Sequence, residues 1–119
     1  METDSKNNSA KSKRIYDQEE VDRLEAFWYK SAMDGARKPG TRCIITIMKK
    51  ILCAVPKDFP QLDDLKDEMF PIIEQAPYTA PEIMGALWGD LEQICIKYFD
   101  KYEDQPWTAE ISDIMTGKK

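Results

Sequence analysis

No histidine occurs among the 119 residues. The commonest general base and the commonest metal ligand are therefore both missing. Three cysteines are present, Cys43, Cys53 and Cys95. An odd count with no Cys-x-x-Cys argues against a disulfide framework, and the lack of histidine argues against a zinc site. All three sit inside apolar helical patterns, as reduced core cysteines of a cytosolic protein would. No apolar run approaches the roughly 20 residues that a membrane span requires. The N-terminus has no apolar h-region, so the expectation is a cytoplasmic protein without a secretory signal. Gly-x-Ser-x-Gly, P-loop and dinucleotide fingerprints are all missing. No cofactor and no catalytic residue is expected, and the chain does not read as an enzyme.

What is present suits one soluble globular domain. Hydrophobic residues make up 42% and charged residues 33%, enough of each for a packed core and a solvated surface. The net charge of −5 is unevenly spread. Residues 1–15 carry four bases against two acids, net +2. Residues 30–57 carry seven bases against one acid, net +6, and residues 58–113 carry fourteen acids against three bases, net −11. That polarity is the most unusual feature of the sequence.

The strongest pattern lies over residues 79–102. Ile83, Leu87, Leu91, Ile94, Tyr98 and Tyr102 recur at steps of three and four, the spacing of one helical face. Met84, Cys95 and Phe99 widen that stripe. Thr79 and Glu82 have the spacing of a capping box, and Pro81 suits the first turn. The spacing predicts one long helix, about 35 Å at 1.5 Å per residue.

Earlier in the chain, residues 1–14 are polar and are expected to be disordered. A first helix is predicted from Asp17, capped with Glu20. Val21, Leu24, Trp28 and Ala32 form its buried stripe, flanked by Phe27, and it fades by Gly35. Gly35, Pro39 and Gly40 break the chain, and Thr41 is placed to cap the next helix. That second helix buries Ile44, Ile47, Met48, Ile51 and Val55, broadened by Ile45 and Leu52, and ends at Pro56. A third, over 57–77, aligns Leu62, Leu65, Met69 and Ile73. Pro71 should kink it or break it in two. Residues 108–115 form a last short helix, with Trp107, Ile111 and Ile114 docking back. The fold class is therefore all-α, a compact bundle of four main helices plus a short C-terminal helix. Residues 15–119 form a single helical domain behind the tail.

Three constellations invite a functional reading. Asp64, Asp67 and Glu68, with Asp63 nearby, place carboxylates on one helical face that could hold Mg²⁺. The arrangement is similar to that of all-α nucleotide pyrophosphatases, whose pattern needs a second Glu-rich motif on another helix. Asp90 and Glu92 do not supply it. The basic stretch Arg37, Lys38, Arg42, Lys49 and Lys50 surrounds a helix N-terminus and suits an anion or a nucleic-acid backbone. Its structural alternative is neutralisation of the acidic half. Finally, Gly85 and Gly89 lie one turn apart with Trp88 between them. Each glycine costs roughly 1 kcal/mol of helix stability against alanine. Such a pair lets another backbone approach, from the same chain or from a partner.

The leading expectation is a non-catalytic helical protein-interaction module: a small cytosolic adaptor, regulator or inhibitor, of a kind that would suit a phage or mobile-element accessory protein. Its partner is a protein of unknown identity. The charge polarity also points to a homodimer centred on Gly85, Trp88 and Gly89. The alternative is a nucleic-acid-binding regulator using residues 37–50, and a further alternative is a Mg-dependent nucleotide hydrolase.

Overall fold

The computed structural model describes residues 15–33, 35 and 42–117. Helix accounts for 80% of it and there is no strand, so the all-α expectation holds. The helices are α1 (Gln18–Met33), α2 (Ile44–Ala54), α3 (Leu62–Gln75), α4 (Met84–Phe99) and α5 (Pro106–Thr116). Single 3₁₀ turns at Ala76–Tyr78, Pro81–Ile83 and Asp100–Tyr102 fill the connections around α4. The fifth helix is as long as the second, at 11 residues each. The tail 1–14, Arg37, Lys38 and the expected Thr41 cap lie outside the described residues.

α1 starts where Asp17 accepts a hydrogen bond from the Glu19 backbone N–H (3.1 Å). Glu20 does not close a capping box. It takes both arms of the Arg23 guanidinium instead (2.6 and 2.8 Å). Val21, Leu24 and Trp28 are buried as the spacing predicts, whereas Phe27 stays partly exposed and stacks on Tyr78 at 5.4 Å. α2 is the centre of the bundle, packed by α1, α3 and α5. Its isoleucines therefore meet neighbours on several sides, and Ile44, Ile45, Met48 and Ile51 are fully buried. Burial on so many sides explains why this segment shows a broad apolar face rather than a narrow stripe.

α3 runs unbroken through Pro71, so of the expected kink or break into two helices the break does not occur. The proline removes the N–H that would reach the Asp67 carbonyl, a cost of about 3 kcal/mol or more. Met69, Phe70, Ile72 and Ile73 are buried on both sides of it. Each contributes about 1.5–3 kcal/mol, so packing outweighs the lost bond.

The start of α4 also differs from expectation. Thr79 does not cap it. The Thr79 hydroxyl donates backwards to the Gln75 carbonyl (2.7 Å), and its N–H goes to Ala76 (3.3 Å). Ala80 is extended (φ −62°, ψ 145°), the backbone that a following proline imposes. A 3₁₀ turn then intervenes before Met84. It advances by about 120° per residue rather than 100°, which throws Ile83 off the stripe and leaves it 60% exposed. Met84 is buried in its place. From there Leu87, Leu91, Ile94 and Tyr98 face the core, with Phe99 on the flank.

Four aromatic rings fix the far end of α4. Phe59, Phe99, Tyr102 and Trp107 contact one another with centroids 5.4–5.9 Å apart. They hold the last turns of α4 against the first turn of α5. α5 itself packs on α2 through buried Ile111 and Ile114, and ends at Gly117 in the left-handed region (φ 89°).

Candidate interaction surface

The members of the basic stretch that the structure describes do not form one open patch. Arg42 reaches the C-terminus of α5, where its guanidinium donates to the Ile114 and Met115 carbonyls (2.7 and 3.0 Å). Both are carbonyls of the last helical turn, which need partners beyond the helix; that of Ile114 also accepts from the Gly117 N–H (3.3 Å). The same guanidinium lies over the Trp88 ring, 5.2 Å from its centroid. Arg42 thus ties α2, α4 and α5 together. Lys49 sits between two carboxylates of α1, Asp22 (2.8 Å) and Glu25 (2.7 Å). Hydrogen bonding to Asp22, then to Glu25, raises the Lys49 pKa, and the bond from Lys49 lowers that of Asp22. The second Glu25 oxygen accepts from the Thr46 hydroxyl, which also meets Tyr29 (2.9 Å). Lys50 is exposed on α2.

The carboxylates of α3 diverge. Asp67 accepts from the Tyr16 backbone N–H (3.0 Å). Glu68 accepts from Lys97 (2.8 Å) and from the Tyr98 hydroxyl on α4. Burial, then the bond to Glu68, pushes the Tyr98 hydroxyl up in pKa. Among the described residues no three acidic or cysteine side chains converge as metal ligands would.

The glycine pair behaves differently. A Cβ at Gly85 or Gly89 would meet nothing within 4 Å. No helix among the described residues comes within that reach of them, so a crossing with a described helix is not what these glycines serve. At about 100° per residue, Gly85, Gly89, Glu92 and Ile96 fall within about 60° of one another, on the side opposite Leu87. Ile96 is 52% exposed there. Trp88, half-buried under Arg42, borders this face.

Along the second half of α4 that face opens into a groove against α5. The groove encloses about 320 Å³. Cys95, Ile96, Phe99, Ile111 and Met115 supply its apolar lining. Glu92, Asp100 and Glu103 stand along it, and no lysine or arginine is among the described residues that line it. Burial, with Glu92 alongside, pushes the Cys95 thiol up to about 12. Sequence reasoning singled out Gly85, Trp88 and Gly89 but not this groove. Its one legible signal was Ile96, an isoleucine on the side of α4 away from the core stripe.

In comparisons with protein-family models, characterised proteins and solved structures, nothing matches this chain.

Proposed function

We propose that this protein is a non-catalytic interaction module, a small cytosolic adaptor, regulator or inhibitor that binds another protein through the outward face of α4. One observation carries the reading. Gly85 and Gly89 weaken their helix by roughly 1 kcal/mol each, and nothing among the described residues fills the space beside them. A partner that approaches closely offsets that cost. Exposed Ile96 supplies apolar contact area on the same face. The cytosolic setting is supported by Cys43, Cys53 and Cys95, which are all free thiols and suit a reducing compartment. No helix among the described residues is long and apolar enough to cross a membrane. The nucleic-acid reading has less support, because Arg42 and Lys49 already hold carbonyls and carboxylates of their own chain.

The test is affinity capture from the source cells with mass spectrometry, using wild type and Ile96→Asp. The expected result is a stoichiometric protein partner that the variant loses while its melting curve is unchanged. Retention of nucleic acid in place of a protein, released by salt, would favour the alternative.

A further inference from the structure

The α4–α5 groove has a chemistry that narrows the class of partner. Its floor is apolar and adaptable, with Met115 and Cys95 beside Ile96, Phe99 and Ile111. Its charged members, Glu92, Asp100 and Glu103, are all acidic. The lining residues extend along both helices. The lining runs from Glu92 to Phe99 on α4, with Asp100 and Glu103 just beyond its end, and from Thr108 to Thr116 on α5. These spans are seven and eight helical steps, about 10 and 12 Å at 1.5 Å per residue. That length matches two turns of a bound helix, which would present apolar side chains at i, i+4 and i+7. The contact between α1 and α2 shows what satisfied carboxylates look like: Asp22 and Glu25 share Lys49. The groove carboxylates have no such cation among the described residues lining it.

We infer that the groove receives a basic amphipathic helix of another protein, its apolar side chains seated on Ile96, Phe99 and Met115 and its lysines or arginines opposite Glu92, Asp100 and Glu103. The inference rests on the interaction reading above and names the partner's chemistry. Apolar contact supplies most of the affinity, and the acidic rim supplies selectivity and speed of encounter.

The experiment uses the full chain, labelled for amide NMR, with two synthetic helical peptides as probes. Both carry leucine at i, i+4 and i+7. One has lysine at the flanking positions and the other glutamine. The lysine peptide should shift amides over 92–100 and 108–116. Glu92→Lys combined with Glu103→Lys should weaken it about tenfold or more, a change of about 1.4 kcal/mol or more. Asp63→Lys, outside the groove, should leave its binding unchanged. Equal affinity for the two peptides at these amides would overturn the basic partner while leaving the interaction reading intact. Lysine-peptide shifts confined to other surfaces would overturn the groove itself, and cellular capture would then judge the interaction reading separately. A light-scattering mass of two copies, with the same amides protected, would overturn it in favour of self-association.

Discussion

The α1–α2 seam and the α4–α5 groove use the same kinds of side chain to opposite ends. In the seam, two carboxylates, one ammonium and two hydroxyls satisfy one another. Asp22, Glu25, Lys49, Thr46 and Tyr29 form a connected set of hydrogen bonds between adjacent helices, to which Gln18 adds a bond to Asp22. In the groove, three carboxylates stand around an apolar floor with no cation among the described residues lining it. The contrast shows that charge in this chain does two jobs. Charge in the seam fixes how α1 sits on α2. Charge at the groove is left facing outward, where it does nothing for the fold. A large local imbalance in the sequence therefore need not mean a large exposed patch. Lys49 of the +6 segment is paired by α1 and Arg42 is held by the end of α5, whereas Glu92, Asp100 and Glu103 of the acidic half are exposed.

The contrast can be broken most severely within α4 itself. Leu91 is fully buried, and Leu91→Ala should cost about 2–5 kcal/mol, as large-to-small core changes do. Ile96→Asp, on the other side of the same helix, should change stability by less than about 0.5 kcal/mol, as surface substitutions do. Chemical denaturation of both variants measures the difference.

The seam should come next. Lys49→Met leaves Glu25, whose side chain is only 19% exposed, without its ion partner. Leaving a half-buried polar group unsatisfied costs about 1–3 kcal/mol. Glu92→Gln at the groove should cost nothing measurable in the same assay, because no bond of the fold depends on it. If both substitutions destabilise equally, the two regions are not different in kind.

Alkaline titration sharpens the comparison further. The Cys95 thiol titrates near 9.0 when unfolded and is pushed up to about 12 in the fold. Between those values the unfolded chain has released a proton that the folded chain retains. Stability is therefore complete below pH 9 and falls as pH rises towards 12. Cys95→Ala should make that fall shallower in denaturation curves recorded across the range. The smallest effect is on reactivity at neutral pH. Exposed Cys53 should take a maleimide label first, ahead of half-buried Cys95 and buried Cys43, as mass spectrometry of the intact chain would show.

Much of the helical layout was legible because its signals are local. The three-and-four spacing of Leu87, Leu91, Ile94 and Tyr98 marks a buried face whatever lies beside it. Where the reading failed, a local rule met tertiary packing. Pro71 is a helix breaker by rule, but Met69, Phe70, Ile72 and Ile73 hold the helix through it. Thr79 has the spacing of a cap, but Ala80 and Pro81 place a 3₁₀ turn in the way. The basic stretch could not be resolved from sequence. Arg42 finds its carbonyls more than 70 residues away, and Lys49 finds Glu25 on another helix. The groove exists because α5 packs on α2 while the aromatic cluster at Phe59 and Trp107 holds its first turn to α4. Within residues 92–103 only Ile96, off the core stripe, hints at it.

The central claim is that the outward face of α4 serves something beyond the fold, and the glycines test it most directly. Neither has a positive φ, and a side chain at either would meet open space in the free chain. Gly85→Leu with Gly89→Leu should therefore melt no lower than wild type. The decisive measurement is how much partner this double variant captures from the source cells beside wild type. The account predicts a folded chain that captures almost none, because the leucines occupy the space a partner would enter. Capture equal to wild type would contradict it and place the interaction surface away from this face.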